Sequence, residues 1–160
     1  MEEKTNVMRI LDRCKVAYKT HYYESDGAIS GVEVAAALGK DPAKLFKTLV
    51  TVAKSGNHYV FIIPVAKELD LKKAAKCVGE KSISMLPSKE LLPLTGYIHG
   101  GCSPIGMKKF FVTTLDIAAE GQDTIIFSAG KIGCQVEMMP TELARVIRLK
   151  YADVTADSEG

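Results

Sequence analysis

The chain has 160 residues, 47% of them hydrophobic and 25% charged, with a formal net charge of +2. That length suits one domain, and the near-balanced charge excludes a strongly basic nucleic-acid binder while leaving room for a local basic patch. Cys14, Cys77, Cys102 and Cys134 lack C-x-x-C spacing, "MEEKTNVMRI" has no apolar leader, and no run nears the ~18 apolar residues of a membrane span, so reduced thiols in a cytoplasmic protein without membrane contact are expected.

Val7, Ile10, Leu11, Cys14 and Ala17 or Tyr18 recur at helical spacing, which predicts an amphipathic helix over 4–19. "THYYESDGAIS" follows as part strand, part loop. Ser30 and Glu33 make a capping box and Gly39 stands in the C′ position, so 30–38 is expected to be helical. Asp41-Pro42 starts a further helical turn. It runs into "FKTLVTVA", which pairs across Gly56-Asn57 with "HYVFIIPV" as a β-hairpin.

Asp70 caps "LKKAAKCV" and Gly79 closes it. "SISML" reads as a short strand and "PSKELL" as a short helix capped by Ser88. "GYIHGGCSPIGMKKF", Gly96 to Phe110, is a loop whose glycines let backbone amides approach an oxygen-rich ligand. "KKFFVTTLD" supplies a strand, and "DTIIFSAGKIGCQVEMM" a hairpin turning around 129–133. Thr141 caps a last helix, "ELARVIRLK", whose final turn is basic. Residues 1–153 are expected to form the single domain and the polar 154–160 a frayed tail. Strands paired as hairpins with helices between them predict a mixed α/β fold, its sheet mostly antiparallel and barrel-like with flanking helices.

No Walker loop, Rossmann fingerprint or nucleophile elbow is present. The histidines and cysteines have no zinc-ligand spacing, so neither metal nor cofactor is expected. Cys102 and His99 can be drawn as a dyad, but three residues apart in a glycine loop they have no defined geometry, and a small loop side chain is the preferred reading. Lys47 lies in an apolar stretch. Alternation puts it with Leu49 and Thr51 on one face, and Thr48, Val50 and Val52 on the other. Such a lysine either lines a cleft or snorkels to the surface, and the pattern favours snorkelling. Lys108 and Lys109 read as a solvated edge, Ser128 as a hairpin-tip serine bonded to its own turn, and Tyr23 as a half-buried core aromatic.

Together, "FKTLV", "PVAKELDLKKAAKCVG", "GYIHGGCSPIG" and "TIIFSAGKIG" resemble, in order and spacing, the YbaK/EbsC family of free-standing editing proteins. That family is similar to the editing insertion domain of bacterial prolyl-tRNA synthetases, and the likeness runs from the first helix to about Asp153. It implies a YbaK-type fold and a trans-editing deacylase that removes cysteine from mischarged tRNA(Pro), and from tRNA(Cys) as well. The family's catalytic lysine falls on Lys47; its substrate-binding positions fall on Tyr23, Thr48, Gly100, Gly101, Ser103, Pro104, Ser128 and Gln135. Cysteine-editing members carry aspartate where this chain has Gln135. The resemblance further implies attack by the substrate's own thiol, an oxyanion held by glycine-loop amides, and Lys47 set against the phosphate or ribose of the tRNA end. The partners implied are the acceptor end of tRNA(Pro) and a prolyl-tRNA synthetase. Two other readings stay open: a deacylase for Ala-tRNA(Pro) or another small aminoacyl-tRNA, and a non-catalytic module that binds tRNA ends or nucleotides.

Overall fold

The computed structural model describes residues 4–24 and 29–156. Thr5 caps helix α1 (Asn6–Arg13) by accepting from the Met8 amide, and Val7, Met8 and Leu11 form its buried face. The helix stops well short of residue 19. Lys15 takes a left-handed φ of 58°, Val16 drops into the core, and Lys19–Tyr22 leave as strand β1. Burial of Val16 and pairing with a distant strand override the helical spacing of Ala17 and Tyr18, because local propensity is the weaker term.

Helix α2 (Gly31–Leu38) carries the Ser30–Glu33 capping box and ends at Gly39, φ 67°. Asp41 caps a 3-10 turn, Pro42–Lys44, which feeds β2 (Phe46–Ala53) and its antiparallel partner β3 (His58–Pro64). Helix α3 (Leu71–Val78) lies between Asp70 and Gly79, and β4 (Ile83–Met85) follows. These elements fall where the spacing predicts.

Helix α4 (Ser88–Thr95) differs. Pro87 takes the N-cap position without a side-chain bond, Ser88 is already helical, and the helix continues through Pro93 to Gly96. After β5 (Val112–Asp116), strands β6 (Ile125–Lys131) and β7 (Cys134–Met138) form the expected hairpin, but it turns further out, at Ile132-Gly133. Ser128 therefore stands in the ladder opposite Gln135 rather than at the tip. Helix α5 (Pro140–Val146) has Met139 at its N-cap with no side-chain bond, so Thr141 does not cap it. It ends early, since Leu149–Ala152 form β8 beside β5. The open backbone edge of β5 outweighs the helix preference of "RLK".

The fold is mixed α/β, with two sheets ordered β1-β7-β6 and β4-β2-β3-β5-β8. Pairings are antiparallel except β3–β5 and β5–β8, which are parallel. The sheets do not close into a barrel; they touch where Leu45 bridges Ile126 in parallel. Between them lies the main core, with Phe46, Val50, Val60, Ile62, Leu115, Phe127 and Val136 beneath α1. Two clusters sit outside it. Ala74 and Ala75 of α3 cover Phe61 and Ile63, and Val34 and Ala35 of α2 cover Leu45, Val65 and Ile126.

The chain end is not frayed at 154–156. Val154 is fully buried, its carbonyl accepts from the Asp70 amide, and its amide donates to Asp116 Oδ1. Ala156 then donates to the Glu68 carbonyl. The rest of the predicted tail, 157–160, lies outside the described residues. Among the described residues no helix is long and apolar enough to cross a membrane.

Candidate functional site

From the isolated parallel bridge at Leu45 and Ile126, β2 and β6 run on in the same direction with no further ladder between them among the described residues. Two residues on, sharing the face of that bridge by strand alternation, come Lys47 and Ser128. Ser128 lies opposite Gln135 of β7, and Gln135 lies opposite His21 of β1. The neighbouring residues Phe127, Ala129, Cys134 and Val136 belong to the main core. The row His21–Gln135–Ser128 therefore occupies the outer face of the three-stranded sheet, with Lys47 beyond its β6 end. Tyr23 packs with the α2 cluster beside Ile126 and Leu45, as a core aromatic would, and its amide donates to the Gly133 carbonyl.

Several polar groups near this junction are unengaged. Lys47 and Gln135 make no side-chain hydrogen bond or ion pair among the described residues, although Gln135 is only 7% exposed. Thr48 Oγ1 is buried and has no hydrogen-bond partner there. Alternation puts Thr48 on the core side of β2 with Phe46 and Val50, so it and Lys47 flank the strand from opposite faces. Ser128 is already used, its Oγ accepting from the Gly130 amide at 3.1 Å.

The glycine loop is pressed against the β6–β7 hairpin. A Cβ on Gly101 would stand 3.2 Å from Ile132 N and Lys131 Cα, so only glycine lets the two backbones approach this closely. Gly101 does not offer its own amide, which donates to the Ile98 carbonyl. The amides of Gly100, Cys102 and Ser103 have no partner among the described residues, and Gly100 has a left-handed φ of 89°. Ser103 and Pro104 are buried, and Ser103 Oγ accepts from the Ile105 amide, so both build the loop from inside. Tyr97 pins it by donating to the Ile105 carbonyl at 2.5 Å. Burial pushes the Cys102 thiol up to about 12, which leaves it neutral and a poor nucleophile. His99 is exposed and makes no hydrogen bond to Cys102.

One pair escaped the sequence reading. His21 Nε2 lies 2.8 Å from Glu137 Oε1, and Glu137 also accepts from the Thr124 hydroxyl. The partners are 116 positions apart, so no local spacing marks them. The one available signal was alternation along β7, which puts Glu137 on the same face as Gln135. The site thus combines a free ammonium, a free amide and unpaired backbone amides, a set suited to an oxygen-rich ligand, while the orphaned Thr48 hydroxyl faces the core. No cluster able to hold a metal ion occurs among the described residues.

A family model described as "Aminoacyl-tRNA editing domain" matches residues 27–146. EbsC of Enterococcus faecalis, named as a proposed Cys-tRNA(Pro)/Cys-tRNA(Cys) deacylase, is 44% identical over 155 residues, 96% of this chain and 94% of that one. A proline–tRNA ligase of Pelobacter propionicus is 31% identical over 99 residues, 62% of this chain but 17% of the ligase. A solved structure described as a proposed trans-editing enzyme for prolyl tRNA synthetase has the same fold, with a TM-score of 0.83 at 24% identity over 97% of this chain and all of that one.

Proposed function

The chain belongs to the aminoacyl-tRNA editing domain family, and from that membership we propose that it is a trans-editing deacylase that clears Cys-tRNA(Pro), and Cys-tRNA(Cys), with the amino acid's own thiol as nucleophile. The observation that carries the reading is the pair of unengaged polar groups beside the junction of the two sheets, the Lys47 ammonium and the Gln135 amide. Lys47 is a fixed cation for the terminal ribose or phosphate. The amides of Gly100 and Cys102 are the donors offered to a carbonyl oxyanion, while Gly101 seats the loop on the hairpin.

A neutral Cys102 agrees with a protein that brings no nucleophile of its own and acts by binding and orienting. Gln135 can accept from the substrate's α-ammonium through its amide oxygen, but without a countercharge. The likeness to a segment of a proline–tRNA ligase supports tRNA(Pro) as the carrier and a prolyl-tRNA synthetase as the upstream partner.

The test is a panel of Cys-, Ala-, Ser- and Pro-tRNA(Pro) offered to the purified protein and to its Gln135→Asp variant. The cysteinyl ester should disappear fastest and leave a trappable cyclic thiolactone, and Gln135→Asp should sharpen the preference. Equal rates for cysteinyl and alanyl esters, with only free amino acid released, would replace the thiol route by the alanyl reading. Binding without turnover would leave a tRNA-end binding module.

A further inference from the structure

The reaction as drawn needs somewhere for the thiol proton to go, and none of Lys47, Thr48 or Gln135 is a natural acceptor of it at neutral pH. His21 is placed to be one. It sits opposite Gln135, and Gln135 sits opposite Ser128, so two inter-strand steps of ~4.8 Å separate His21 from Ser128. A substrate laid along this row would place its amino acid at His21 and Gln135 and its sugar toward Lys47.

The imidazole is held as a base would be. Both members of the His21–Glu137 pair are well shielded, with side chains 18% and 11% exposed, and both stand on strands. Burial works to raise the Glu137 carboxyl. The hydrogen bonds from Thr124 and His21 and the charges of His21 and Lys40 outweigh it and hold the group below the usual glutamate range. An ionised carboxylate only accepts, so Nε2 carries the hydrogen and Nδ1 is the bare, proton-accepting nitrogen of the neutral ring. Nδ1 makes no hydrogen bond among the described residues. Among the described residues, the other titratable groups near the pair are Lys40, whose charge acts on Glu137, Lys19 and Tyr22 on β1, and Lys4, Asp12 and Tyr18 across the adjoining groove.

We propose that His21 is the general base of the deacylation, a role that rests on the deacylase reading above. The proton of the substrate S–H bond moves to Nδ1 while the sulfur pair forms a bond to the ester carbonyl carbon. The bond from that carbon to the ribose oxygen breaks, and the ribose oxygen takes the proton back from Nδ1. The products are a cyclic thiolactone and a tRNA with a free hydroxyl, and the imidazole ends neutral.

Single-turnover cleavage of Cys-tRNA(Pro) is measured between about pH 5 and 8 for the wild type, His21→Gln, His21→Ala with added imidazole, and Glu137→Gln. A positioned base contributes ~10²–10⁴-fold, so His21→Gln should lose at least ~10²-fold at neutral pH and flatten the acid limb of the profile. Its affinity for uncharged tRNA(Pro) should stay that of the wild type, and imidazole should restore part of the rate to His21→Ala. Glu137→Gln, which frees the ring to turn and change tautomer, should slow cleavage and shift the limb; it also serves if the His21 variants do not fold. An active wild type alongside a His21→Gln variant of the same rate and acid limb overturns the proposal. So does a rate loss matched by lost tRNA affinity with the limb retained. A wild type inert to every ester removes the deacylase reading and this one with it.

Discussion

Lys47 and Cys102 show how differently a polar side chain can be spent in a small domain. Lys47 stands in an apolar strand, yet it forms no ion pair among the described residues, so its charge is available to a ligand. Lys47→Ala should leave the thermal transition in place and lower kcat/KM for Cys-tRNA(Pro) about 10- to 100-fold, the loss of one charge-assisted hydrogen bond. Unchanged turnover at subsaturating tRNA would return the lysine to a snorkelling role. Cys102 is the reverse, a thiol kept neutral by burial, and Cys102→Ser should stay active. Its effect is on alkaline stability. Between about pH 9 and 12 the unfolded chain has released the thiol proton that the folded protein keeps, so stability falls as pH rises. Serine does not ionise there. Urea midpoints measured from neutral pH to pH ~11 should fall less steeply for Cys102→Ser than for the wild type.

The glycine loop and the β6–β7 hairpin act as one unit. Gly101 lies on the backbone of Lys131 and Ile132, Tyr97 ties the loop to the Ile105 carbonyl, and a Cβ on Gly130 would stand 3.2 Å from the Tyr97 ring. Adding a methyl at Gly101 must move backbone against backbone, an overpacking cost of about 1–3 kcal/mol. That shift displaces the unpaired amides of Gly100 and Cys102. Gly101→Ala should therefore lose more single-turnover rate than its drop in melting temperature would explain. Gly121→Ala, with nothing within 4 Å of its Cβ, should be silent in both measurements. Equal behaviour of the two variants would separate the loop's position from catalysis.

In the molecule as a whole, the two sheets meet at one bridge, Leu45 to Ile126, and the chain end fastens the far side. Val154 is fully buried in the cluster under α3, while its backbone joins Asp70, the α3 cap, to Asp116 at the end of β5. Val154→Ala removes about two methylene equivalents of burial, roughly 1.5 kcal/mol before any cavity cost, which for a domain of this size lowers the melting temperature by about 3–6 °C. Val154 lies in none of the candidate-site strands, so activity at 25 °C should be unchanged. A neutral melting temperature would mean that 154–156 is dispensable to the fold.

Elements whose cause is local were legible in the chain. The Ser30–Glu33 box, the Asp41-Pro42 start, the Asp70 cap with Gly79 and the hairpin across Gly56-Asn57 each rest on residues a few positions apart, and each stands where the spacing put it. Where a distant partner competed, the local pattern lost. Helix α1 gave up Ala17 and Tyr18 as the chain turned to pair β1 with β7, α5 gave up "RLK" to the edge of β5, and Val154 left the tail for the core. The candidate site divides the same way. Lys47, Thr48, Ser128 and Gln135 could be named from motif order, but their grouping comes from the register of β6 with β7 and from the meeting of β2 with β6. His21 and Glu137 had no local signature, because a contact between residues 116 positions apart exists only once long-range strand pairing has brought them together.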